Sequence, residues 1–148
     1  MAPIIISAAP QPTRLERMAA PTTAFAGLSL VTLALHLRDP HQQNSWGFCP
    51  SALVGVWCPG CGGLRAVNDL TNLQLADAAS SNLAFVIALP FIAFLLVRWT
   101  VGRWRGTYRP VMAGFTPRGR LVLMSLGFTV LGAFTALRNL PAGAWLAP

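Results

Sequence analysis

The sequence predicts an all-α membrane protein, with three transmembrane helices and a surface amphipathic helix in the first connecting loop. Three observations lead there. The chain has 148 residues, 54% hydrophobic and only 10% charged, with a mean hydropathy of +0.55. A soluble domain carries about 25% charged residues, so this chain has too few to cover a globular surface. Three apolar segments approach or reach the roughly 20 residues that a spanning helix needs. The net charge of +7 comes from arginine alone, and six of the eleven arginines fall between Arg98 and Arg120, flanked by apolar runs.

The elements follow in order. The tail 1–19 carries Arg14 and Arg17 and has no signal-peptide pattern at its start. The first segment, 20–38, lacks a cleavage site and reads as a retained anchor. It is the weakest of the three, because it holds Pro21, Thr22, Thr23 and Ser29. The second, 81–100, is apolar from Leu83 to Val97. Pro90 lies inside it and should kink the helix or leave a carbonyl for a neighbour. The loop 101–120 is basic. The third segment, 121–138, has only Ser125, Thr129 and Thr135 as polar side chains before Arg138. Its Gly127, Gly132 and Ala136 permit close helix contact, although ordinary transmembrane composition explains them as well. The tail 139–148 closes the chain.

Three spans put the N-terminal tail and the basic loop on one side. That side holds eight arginines and is expected to be the cytoplasm. The loop 39–80 and the C-terminal tail then lie outside. Trp46, Trp57 and Trp145 would belong to the outer interfacial belt, and Trp99 and Trp104 to the inner one.

The loop 39–80 is too long for a plain turn. Asn44–Gly47 reads as a turn and 51–56 as a short apolar stretch. Leu64, Val67, Leu70 and Leu73 recur at near-helical spacing, with Arg65, Asn68, Asp69 and Thr71 between them. This predicts a helix lying on the membrane surface with Asp69 turned to water. Asn72 is placed to end it, and Leu75–Ala79 to form a further turn. Ser80, Ser81 and Asn82 supply cap residues for the second span.

All three cysteines lie in this loop, in Cys49-Pro50 and in Trp57-Cys58-Pro59-Gly60-Cys61-Gly62-Gly63-Leu64-Arg65. Pro59 fixes one dihedral and Gly60 can take a positive φ, so the chain turns tightly. Gly62 lets backbone N–H groups approach the sulfurs. The turn resembles the knuckle of rubredoxins and zinc ribbons. Cys49, Cys58 and Cys61 with His41 would make a Cys₃His set, a closed structural zinc pattern. The other readings stay open. Cys58 and Cys61 can form a disulfide, with Cys49 left over. They can also act as a redox pair, with Cys61 at a helix start and Arg65 one turn on to favour a thiolate. No βαβ pattern surrounds the motif, so a soluble thioredoxin fold is excluded. A structural role is the leading expectation.

The other chemistry classes find no support. There is no nucleotide loop, no Ser/His/Asp set and no His-Glu-x-x-His helix. The four acids, Glu16, Asp39, Asp69 and Asp77, are scattered. The arginine run reads as a topology signal and an anionic-lipid contact rather than a nucleic-acid site. Arg65 and Asp69, one turn apart, can pair on a helix face.

The run His41…Trp46-Gly47-Phe48-Cys49-Pro50, then Cys58-Pro59-Gly60-Cys61-Gly62-Gly63-Leu64-Arg65-Ala66, Asn68-Asp69-Leu70 and Ser81-Asn82, resembles a bacterial family of small membrane proteins called domain of unknown function twenty-seven fifty-two. The ending Arg138-Asn139-Leu140-Pro141…Trp145-Leu146-Ala147-Pro148 is similar too. The resemblance covers roughly 36–148 and implies a multi-pass protein of the bacterial plasma membrane; it brings no established activity. The arginine-only, alanine-rich composition is similar to that of actinobacterial proteins. The expectation is a non-enzymatic accessory or scaffold subunit in the lipid bilayer, associated with other membrane subunits or with itself, its cysteine loop stapled by zinc or a disulfide. The alternative is a membrane thiol oxidoreductase or electron-transfer accessory using Cys58 and Cys61.

Overall fold

The computed structural model describes residues 12–42, 49, 51 and 54–147. The expected turn at 44–47, Trp46, part of the apolar stretch 51–56, the first eleven residues and Pro148 lie outside the described residues. Among those described, every regular element is helical and there is no strand.

Helix α1 spans Arg14–Leu37. Thr13 sets its start through a capping box. The Thr13 hydroxyl accepts the Glu16 N–H at 3.3 Å, and the Glu16 carboxylate accepts the Thr13 N–H at 2.7 Å. The helix therefore begins upstream of the apolar segment. Helix α2 spans Gly63–Thr71. Asn72 ends it, Leu73 takes φ 62°, and the Gln74 N–H returns to the Asp69 carbonyl at 2.9 Å. That reversal leads straight into helix α3, Leu75–Arg105, so Leu75–Ala79 is the first part of a helix rather than a separate turn.

The backbone of α3 is interrupted at Asn82, with φ −159° and ψ 91°. The expected disturbance at Pro90 is not where the non-helical backbone lies. Asn82 closes one short helix and caps the next, because its side-chain oxygen accepts the Phe85 N–H at 3.0 Å. A 3₁₀ turn at Val111–Gly114 leads to helix α4, Pro117–Arg138, which is capped by Thr116 and has Pro117 in its first turn. A second 3₁₀ turn, Pro141–Leu146, folds back on α4 and touches α3.

Helices α1, α3 and α4 are long and apolar enough to cross a membrane, and almost all their apolar surface points away from the protein. Their environment is lipid, and the chain is a multi-pass membrane protein. At one end of α1 the Arg14 guanidinium lies 5.7 Å from the Trp104 ring. Arg17 lies beside Gly106 at the same end. At the other end α2 packs against both α1 and α3.

That packing buries Asp69, which was expected to face water. Asp69 is 2% exposed and Asn68 5%, whereas Leu64 is 40% exposed. The reason is what α2 packs against. The end of α1 presents a bare carbonyl, and the Asn68 amide donates to Leu35 O at 2.7 Å. The start of α3 presents a hydroxyl, and Ser81 donates to the Asp69 carboxylate at 2.8 Å. Buried polar groups need polar partners, and α2 supplies them inward.

Gly127 and Gly132 meet open space, so neither marks a helix contact among the described residues. Gly143 is different: a Cβ there would run into the Leu137 carbonyl. Gly143→Ala should loosen the C-terminal turn and cost about 1–3 kcal/mol by overpacking, whereas Gly132→Ala should be close to neutral. Thermal unfolding in detergent checks both. Equal melting temperatures for the two variants would refute the tight seat of the turn.

Candidate metal centre

Residues 58–61 form a tight turn, closed by the Cys61 N–H donating to Cys58 O at 3.1 Å. The Cys58 N–H points at the Cys61 sulfur, 3.3 Å away. A second turn follows, Gly63 N–H to Gly60 O at 3.0 Å. The left-handed residue is Gly62, at φ 81°, and not Gly60 as the sequence suggests. Gly62 is the N-cap of α2, so the knuckle feeds directly into that helix. A side chain at this φ would be strained.

Cys49 joins the pair. Its sulfur is 2.9 Å from that of Cys61 and 3.4 Å from that of Cys58, and the Cys58–Cys61 separation is 2.9 Å. These are contacts between sulfurs, well beyond the about 2.05 Å of a disulfide bond. Cys61 is buried and the other two are half-buried. Burial and the neighbouring sulfurs push the Cys61 thiol up to about 11, so it is not an activated nucleophile. A cation entering the cluster must displace that proton.

Three side chains from the span ends hold the knuckle. The Asn82 amide donates to Pro59 O at 2.9 Å and to Cys61 O at 3.0 Å. One Arg138 nitrogen, Nη1, donates to Cys58 O at 2.8 Å and to Cys61 O at 3.2 Å. Asn139 grips Trp57 on both sides, accepting its N–H at 2.8 Å and donating to its carbonyl at 2.8 Å. The non-helical backbone at Asn82 lets one side chain cap a helix and clamp the knuckle together.

His41 is not with the sulfurs. Asp39 Oδ1 accepts both its backbone N–H and its Nδ1 at 2.8 Å each, and its Nε2 faces Asp69 at 3.4 Å. The same hydrogen bonds hold the Asp39 carboxyl below its usual range. Both histidines and three of the four acids line a separate polar cavity of about 630 Å³, and Arg65 lines it too. Arg65 makes no hydrogen bond or ion pair among the described residues; the expected Arg65–Asp69 pair gives way to Ser81 and His41 on Asp69. Pro59 contributes its carbonyl to the Asn82 clamp as well as its ring.

Sequence reasoning missed Ser51, Arg138 and Asn139 as site residues and read Asn82 only as a helix cap. Ser51 places its hydroxyl oxygen 3.0 Å from the Cys49 sulfur and 3.7 Å from that of Cys61. Arg138 reaches the knuckle from 77 residues away. Its position at the end of the third span, in the ending that resembles the family's, was the only signal.

The donors fit a metal ion. Tetrahedral sulfurs about 2.3 Å from zinc lie about 3.8 Å apart, so the cluster needs to open by less than about 1 Å at each edge. Among the described residues it is the group able to hold an ion. Three soft thiol donors suit zinc and other thiophilic metals.

Replacing Asn82 by Ala removes two donors from buried carbonyls and a helix cap. It should destabilise the protein by about 1–3 kcal/mol and speed thiol labelling at Cys58 and Cys61. Asn82→Asp keeps the cap but turns an oxygen toward two carbonyls, and should be at least as damaging. If Asn82→Asp labels at the native rate, the clamp does not protect the cluster.

Comparison with curated proteins and with solved structures finds no match. A family model does match, over a shorter stretch than the resemblance read from the sequence. It takes in the three cysteines, α2 and the Asn82 break: residues 49–96 match the family described as Protein of unknown function (DUF2752).

Proposed function

We propose that this chain is a small accessory or scaffold subunit of the bacterial plasma membrane, whose outer loop is stapled by one metal ion, zinc, on Cys49, Cys58 and Cys61. The observation that carries this reading is the mutual approach of three thiol sulfurs to 2.9–3.4 Å. Such a group bears soft donors on one point and is held by polar clamps from two different spans. When bound, the ion supplies cross-links that would tie Cys49 to the knuckle. The protein's own part is to orient the sulfurs through Asn82, Arg138 and Asn139. The redox alternative needs an accessible thiolate, and Cys61 is buried with its sulfur against the other two.

Metal analysis of the detergent-purified chain should give one zinc per chain, with Cys58→Ser and Cys61→Ser each losing it. A metal-free protein with Cys58 and Cys61 joined in a disulfide would replace this reading with the redox one.

The orientation follows the arginines. Eight lie on the side proposed to be cytoplasmic, and the Arg14–Trp104 and Arg17–Gly106 approaches bring the two basic segments together. Reporter fusions after Arg105 should report cytoplasm, and fusions at the C-terminus the outside. The reverse pattern would put the cysteines in a reducing compartment. Helix α4 touches the bundle mainly through the C-terminal turn, leaving a long apolar surface for lipid, another membrane subunit or a second copy.

A further inference from the structure

We infer that Arg138 is the counter-charge of an anionic centre in which Cys49, Cys58 and Cys61 hold one divalent ion, and that it sets how tightly that ion is held. The inference rests on the metal reading above.

Arg138 is the largest fully buried side chain among the described residues, at 1% exposure. A guanidinium has five N–H donors. Nη1 serves two knuckle carbonyls, while Nε and Nη2 are buried with no hydrogen-bond partner. The Phe134 ring, 5.0 Å away, offers a face but no charge. A buried cation left uncompensated is strongly unfavourable.

Among the described residues no carboxylate side chain compensates it. Glu16 is bonded to Thr13 at the far end of α1. Asp39 is held by His41, and Asp69 by Ser81 and His41. Asp77 lines the polar cavity, which Arg138 does not reach. The titratable groups close enough to act on Arg138 are Cys61 and Cys58. As neutral thiols they would leave the guanidinium alone. As thiolates around a divalent ion, the three sulfurs bring the centre to a net charge of −1, and Arg138 brings the sum to zero. A monovalent ion would leave −1 after Arg138 is counted, so the arrangement selects a divalent one.

The test uses the full chain in detergent with Co²⁺ as probe, followed by sulfur-to-cobalt charge-transfer absorption in competition with a chelator. Arg138→Gln should bind about 10–100-fold more weakly, the usual loss when an outer partner of a metal site is removed, with the absorption band unchanged. Arg138→Lys keeps the charge and should recover most of the affinity. Thr13→Ala removes the capping box of α1 without touching the cluster or its clamps; it should lower the melting temperature and leave affinity nearly intact. On the unaltered chain, uptake of each Co²⁺ should release close to three protons, one per thiol; this arm stands even if Arg138→Gln does not fold. Release of two or fewer, or Arg138→Gln binding as tightly as the unaltered chain, overturns the role of Arg138 while the metal site survives. An unaltered chain that takes up no cobalt overturns the metal site and the inference together.

Discussion

The carbonyl of Cys61 accepts from Asn82 on α3 and from Arg138 at the end of α4, and much of the cysteine-bearing end of the molecule is organised around those two hydrogen bonds. The knuckle points the Cys58 N–H at the Cys61 sulfur, and the carbonyls of residues 58, 59 and 61 face the span ends. Buried among span ends, those carbonyls need donors. The two donors come from different helices, so satisfying one turn also fixes where α3 and α4 stand relative to the loop. Within the membrane itself the helices have little to hold them: lipid is as apolar as their side chains, and burial supplies no drive for association. The polar end of the bundle therefore does the joining.

This explains why so many of the buried side chains are polar. Asn68, Asp69, Ser81, Asn82 and Arg138 are all buried, beside only a few small or apolar residues. Each serves a backbone group or a side chain exposed by a helix end or a break. The break at Asn82 creates two helix ends where an unbroken helix would have none. It also frees a side chain to cap and clamp together.

The three apolar helices, the basic segments and the cysteine cluster were legible in the sequence because each leaves a local mark: low charge, arginine position, and a Cys-Pro-Gly-Cys turn. The burial of Asp69 was not. Periodicity says which residues share a helix face, but not whether that face meets lipid or the polar ends of two other helices. His41 misled for a related reason. Proximity in sequence to Cys49 made it a plausible ligand, yet Asp39, two residues before it, captures both its backbone and its ring. Arg138 and Ser51 were missed because their roles depend on which segments meet in space.

Arg138 supplies part of the grip on the knuckle and Asn139 the grip on Trp57, and both emerge just before the C-terminal turn. The cysteines are synthesised some eighty residues earlier. Between those moments the loop must wait at the membrane surface with its carbonyls bonded to water, while the second and third spans are inserted. Completion of the cluster thus reports that the third helix has been inserted with its end on the correct side. A chain whose last span stalls or inserts backwards would present an open, reactive cysteine loop at the membrane surface. Its unclustered thiols are a mark by which an incompletely assembled molecule differs chemically from a finished one.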